Sequence, residues 1–116
     1  MSMDFLETEF VEHGDVLLIR PSGSIEGYLS DWLDDVEARL DSQPRNVVLN
    51  LSNVDFISSR GMGIIFHLHK KLNSLGCKMH MAELQENVAE AMDIGGITDV
   101  IEAFDTEELA IQGLAG

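Results

Sequence analysis

Short apolar runs bounded by glycine alternate along this chain with segments whose apolar positions recur at helical spacing. Asp15 to Ser22, DVLLIRPS, lies between Gly14 and Gly23 and predicts a strand, with Phe5 to Val11 as its hairpin partner. Tyr28 to Leu40 brings Leu29, Trp32, Leu33, Val36 and Leu40 to one side, while Asp31, Asp34, Asp35 and Glu37 carry charge elsewhere, which predicts an amphipathic helix ending before Pro44. Asn46 to Leu51, NVVLNL, is too apolar for a half-exposed strand and predicts a central strand covered on both faces. A second amphipathic helix follows and ends at Gly76, then a strand at Lys78–Ala82 and a helix at Glu86–Ile94 broken by Gly95 and Gly96. Val100–Phe104 predicts a last short strand, and Asp105 with Glu108 has the spacing of a capping box before a C-terminal helix. The order ββαβαβαβα predicts an α/β fold, with one mixed sheet of about five strands and helices packed mainly on one face.

The segment VDFISSRGMGIIFHLHKKL, Val54 to Leu72, places two serines where an apolar strand runs into a helix. The first N–H groups of a helix lack intrahelical partners and the macrodipole adds positive potential there, so a serine at that point can cap the helix or carry a phosphate. At about 100° per residue, Gly61, Ile64, Ile65, Leu68, Leu72 and Leu75 fall in one arc and face the sheet. Ser59, Met62 and Phe66 follow an i, i+3, i+7 row along the other side. Met62 and Phe66 on that row either pack under a neighbouring loop or helix or form a protein-docking surface beside the serine.

Charge and cysteine content narrow the function classes. The 116 residues suit one domain, spanning 1–116, and seven Lys plus Arg against 21 Asp plus Glu leave a formal charge of −14. Such a surface repels nucleic acid and anionic membranes and favours a basic protein face. Cys77 is the single cysteine, and neither a signal peptide nor a run of ~18 apolar residues is visible, so a reducing, cytoplasmic setting is expected. His67 and His69, two apart on a helix, point to different sides and make poor joint metal ligands, while His13 and His80 add no ligand spacing. No phosphate-binding or dinucleotide-binding glycine motif is present, so neither an enzyme activity, a cofactor nor a metal is expected.

FISSRGMG, Phe56 to Gly63, resembles the signature of STAS domains, specifically the small stand-alone anti-sigma factor antagonists of bacteria. PSGSIEGYLSDWL, Pro21 to Leu33, resembles the family's second strand and the turn after it, and MDIGGITDVI, Met92 to Ile101, resembles its late helix and turn. The resemblance implies a partner switch. The unmodified antagonist would bind an anti-sigma factor that is also a serine kinase, phosphorylation of the switch serine would break that complex, and a serine phosphatase would restore it. Carried onto this chain, the acceptor falls on Ser59, with Ser58 the alternative, and the partner-binding surface comprises Glu26, Ser58, Ser59, Arg60, Met62 and Phe66. Met62 stands where the family has Leu, and Gly63 takes its second glycine.

Two departures bear on the assignment. Many members have Asp before the acceptor where this chain has Ser58, so either adjacent serine can be the helix cap; many have Ser or Thr after it, where this chain has Arg60. Arg60 would pair with a phosphate, pair with an acidic partner residue, or stay solvated. Two further readings stand beside the switch: a STAS scaffold that binds without being phosphorylated, and a STAS module that senses a small ligand. The free protein is expected to be a monomer.

Overall fold

The computed structural model describes residues 6–27 and 29–115. In chain order it contains β1 (Thr8–His13), β2 (Val16–Ile25), α1 (Ser30–Ser42), β3 (Asn46–Asn50), β4 (Asn53–Ile57), α2 (Ser59–Ser74), β5 (Met79–Ala82), α3 (Glu86–Ile94), a 3-10 turn at Ile97–Asp99, β6 (Ala103–Phe104) and α4 (Glu107–Ala115). Phe5 and Tyr28, the predicted starts of the hairpin partner and of the first helix, lie outside the described residues.

The sheet runs in the order β1-β2-β3-β5-β6. Among the described residues only the β1–β2 pair is antiparallel; β2–β3, β3–β5 and β5–β6 are parallel, as crossover helices require. Period-two alternation sends Leu17 and Ile19 of β2 and Val47 and Leu49 of β3 into the larger core, where they meet Trp32, Val36 and Leu40 of α1, Ile65, Leu68 and Leu72 of α2, and Val88 and Met92 of α3. Full burial of one such leucine contributes about 1.5–3 kcal/mol. The intervening residues, Val16, Leu18 and Val48, face the opposite side and meet Ala82 and Ala110 under α4. Three helices on one face and one on the other is the expected arrangement of helices mainly on one face.

Among the described residues the strands number six where the sequence predicts about five. NVDFI forms its own strand, β4, after a break at Leu51–Ser52, and pairs in parallel with Ser22–Ile25, the second half of β2. Gly23, which reads as the end of a strand, instead adopts φ +114° within β2, which runs on to Ile25; opposite the Gly23–Ser24 step β4 carries one extra residue, Asp55, as a bulge. The last strand is shorter than predicted, because the Val100 and Ile101 N–H groups donate back to the Ile97 carbonyl at 3.1 and 2.9 Å and only Ala103–Phe104 pair with β5. The cap of α4 also moves by one residue. Thr106 Oγ1, not Asp105, accepts from the Leu109 N–H at 3.1 Å, and Glu83 accepts from the Glu107 N–H at 2.9 Å.

α4 is fastened to its face by a polar fork. Arg20 donates from Nε and a terminal nitrogen to the two Glu107 carboxylate oxygens at 2.9 and 2.7 Å, and Asn50 Nδ2 adds a third bond at 2.8 Å. The Arg20 guanidinium, offset by desolvation and reinforced by Asn50, holds the Glu107 carboxyl below its ordinary value. The same bond raises Arg20 further above the range in which an arginine titrates.

Candidate functional site

The strand-to-helix turn is held by its backbone before any side chain acts. The Ser58 N–H donates to the Ile25 carbonyl at 3.0 Å, which extends the β2–β4 pairing one bond into the cap of α2. Gly61 crosses the end of β2 so closely that a Cβ there would overlap the Ile25 carbonyl oxygen and stand 2.8 Å from its carbon. The glycine in the inward-facing arc of α2 is therefore a steric requirement, and the first turn of the helix is seated on Ile25.

The two serines then separate by role. Ser58 has extended dihedrals, φ −92° and ψ 170°, and its side chain accepts from the Gly61 N–H at 3.0 Å, the geometry of an N-cap. Ser59 is the first helical residue, exposed, and its hydroxyl has no hydrogen bond among the described residues. No acidic residue stands in the first turn of α2, so the positive end of the helix carries no compensating side-chain charge there.

The row along the helix divides in the same way. Gly61, Ile65, Leu68 and Leu72 are buried as the arc predicts, and Ile64 and Leu75 are half-buried. Met62 is half-buried against the larger core and reaches the turn after α3, where a Cβ added to Gly95 would come 2.6 Å from its sulfur. Phe66, 39% exposed, remains open, with the His69 ring 6.0 Å and the Lys70 ammonium 5.9 Å from its ring centre. Packing under a neighbouring segment thus describes Met62, and an exposed apolar surface describes Phe66.

Between them lies a groove of about 340 Å³, walled on one side by Ser59, Met62, Gly63 and Phe66 and on the other by Gly95, Gly96, Ile97 and Val100. The structure brings Ser59, Met62 and Phe66 of the predicted surface together here. Ser58, Arg60 and Glu26 do not line the groove. Arg60 is exposed beside it, and Glu26, also exposed, directly follows Ile25, on which the turn is seated. Sequence reasoning missed the opposite wall, for it took Gly95 and Gly96 only as a helix break.

The histidines serve separate contacts. His67 lies 3.2 Å from Glu37 of α1, His69 lies 3.2 Å from Asn73, and His80 is buried with Nδ1 3.1 Å from the Ala110 carbonyl oxygen.

The family model for the STAS domain matches residues 7–110, from the start of the sheet into α4. A curated relative from Paenibacillus polymyxa, an anti-sigma F factor antagonist, is 30% identical over 111 residues, covering 94% of this chain and 95% of its own. The chain belongs to the STAS-domain family of anti-sigma factor antagonists. This STAS domain is also similar to solved structures. An anti-sigma factor antagonist from Mycobacterium paratuberculosis superposes with a TM-score of 0.84 at 18% identity, over 99% of this chain and 98% of that one. The anti-sigma factor antagonist SpoIIAA in its unphosphorylated form gives 0.68 at 16% identity, over 97% and 99%. At such identities these two establish the shared fold alone. Among the described residues of the STAS domain, no helix is long and apolar enough to cross a membrane.

Proposed function

We propose that this STAS domain is the antagonist in a bacterial partner-switching pathway. In its unmodified form it binds and sequesters an anti-sigma factor that is also a serine kinase, through Glu26, Ser58, Ser59, Arg60, Met62 and Phe66. Phosphorylation of Ser59 releases the kinase, and a serine phosphatase resets the cycle. The name of the Paenibacillus polymyxa relative supports the anti-sigma factor as partner, and the state named for SpoIIAA is in keeping with control by phosphorylation.

One observation carries the assignment within the turn. The Ser58 oxygen is occupied as the cap of α2, whereas the adjacent Ser59 hydroxyl is exposed on the rim of an apolar groove. Modifying Ser58 would sacrifice the cap; modifying Ser59 leaves it in place. A phosphoryl group adds about −1.5 to −2 charge near neutral pH. Beside the chain's −14 that is a small global change, screened within roughly 8 Å in physiological salt, so its action is local. At the helix N-terminus the added charge meets free N–H groups and the positive end of the dipole, which keeps the fold intact. A partner seated over Met62 and Phe66 would have to desolvate that charge, and the complex breaks instead.

The test is calorimetric titration of the purified anti-sigma kinase from the same bacterium with the unmodified chain and with the chain phosphorylated at Ser59. Tight binding by the first and loss of binding by the second, at equal melting temperature, is the expected result. Equal affinities would refute the switch, and an unfolded phosphoprotein would refute the mechanism by which it acts.

A further inference from the structure

Three glycines line the groove, and two have structural reasons to be glycine. Gly96 has φ +80°, in the left-handed region. At Gly95 a Cβ would collide with Met62 Sδ at 2.6 Å. Gly63 has neither reason. It lies inside α2 with ordinary helical backbone, is exposed, and a Cβ built on it would meet nothing within 4 Å. In such a place glycine weakens the helix relative to alanine. Its effect is to leave a strip of bare helix backbone between Met62 and Phe66, facing Gly95 and Gly96 across the groove.

The walls above that floor are apolar and open, with Phe66 39% and Val100 49% exposed, and Ile94, next to Gly95, is 81% exposed. The far wall carries acidic neighbours in a chain of net charge −14: Asp99 directly precedes Val100, and Asp93, which accepts from Thr98 Oγ1 at 2.9 Å, stands two residues before Gly95, both exposed. Resting on the reading above, we infer that the groove is the specificity pocket of the docking surface, and that Gly63 is its contact floor. Its occupant is an aliphatic side chain of the anti-sigma kinase, pressed against bare backbone at Gly63 and flanked on the kinase by a basic residue facing Asp93 and Asp99. Close approach to the backbone supplies the discrimination: one methyl group on the floor removes the space an aliphatic tip needs.

The experiment compares the native chain with Gly63→Ala and, on the opposite wall, Val100→Ser, measuring thermal unfolding of each and titration against the purified anti-sigma kinase from the same bacterium. Gly63→Ala is expected to raise the melting midpoint by ~3 °C, because it removes only a helix-weakening glycine, while lowering affinity about tenfold or more. Val100→Ser is expected to weaken binding with little change in melting. A Gly63→Ala chain that binds like the native one overturns the pocket while leaving the switch reading standing. So does a lowered melting midpoint, which would make Gly63 a structural glycine. A native chain that does not bind the kinase at all overturns the switch reading, and the pocket with it.

Discussion

Substituting Gly61 by alanine tests the claim that the strand-to-helix turn before α2 is seated on β2. The added Cβ would stand 2.8 Å from the Ile25 carbonyl carbon and 3.0 Å from its Cγ2, and closer still to the carbonyl oxygen. Carbon atoms pack at about 3.5–4.0 Å, so the first turn of α2 must retreat by roughly 1 Å. That retreat stretches the 3.0 Å bond from the Ser58 N–H to the Ile25 carbonyl past hydrogen-bonding length. Ile25 is fully buried, and leaving its carbonyl unsatisfied costs about 1–3 kcal/mol. Strain of this kind in a packed core adds about 1–3 kcal/mol, while the better helix propensity of alanine returns up to about 1 kcal/mol. The net expectation is a loss of about 3 kcal/mol, the centre of a range of roughly 1–5 kcal/mol, or about 12 °C in melting midpoint for a chain of this size. Urea unfolding followed by Trp32 fluorescence, with the slope unchanged and the midpoint lowered, reads this directly. A Gly61→Ala chain as stable as the native protein, or more so, would refute the steric account of the turn.

Further outcomes follow from the same geometry. Ser58→Ala should cost about 1 kcal/mol through loss of the cap, whereas Ser59→Ala should change stability by less than about 0.5 kcal/mol; chemical denaturation of the pair separates cap from exposed hydroxyl. Phe66→Ala should weaken kinase binding while lowering stability by no more than about 1 kcal/mol, and a large stability loss with normal affinity would place Phe66 in the core. Glu107→Gln should destabilise by about 2 kcal/mol near neutral pH by breaking the Arg20 fork. The native Glu107 carboxyl titrates below its ordinary value of 4.5, so its contribution is present above that value and is lost as pH falls through the lower, folded one. The stability difference between native and variant should therefore shrink from about pH 5 downward, and a difference that stays constant into acid would contradict the role of the charged fork.

The legible parts of the fold are those whose pattern has one period. Val47–Leu49 reads as a buried strand because three apolar residues in succession cover both faces, and α2 reads as a helix because Gly61, Ile65, Leu68 and Leu72 keep a helical spacing. β4 is not legible in that way. Val54 and Ile57 are its buried residues, three apart, because the extra residue Asp55, opposite the Gly23–Ser24 step of β2, breaks the alternation of a strand. Gly23 hides the second half of β2, since a glycine inside a strand and a glycine after one look alike. Thr106 rather than Asp105 caps α4, and the first N–H of the helix, that of Glu107, is taken by Glu83, 24 residues away, a contact that no local spacing shows. Half of the groove was visible as the row Ser59, Met62, Phe66; the wall from Gly95 to Val100 comes from a distant segment that only tertiary packing brings opposite.

The most direct test of the central claim is to incubate the purified chain with the anti-sigma kinase of the same bacterium and ATP, then read intact mass and map the peptides. The account predicts one added phosphate, located on Ser59 and abolished by Ser59→Ala. No added phosphate, or a phosphate that survives Ser59→Ala because it sits on Ser58 or elsewhere, would contradict it.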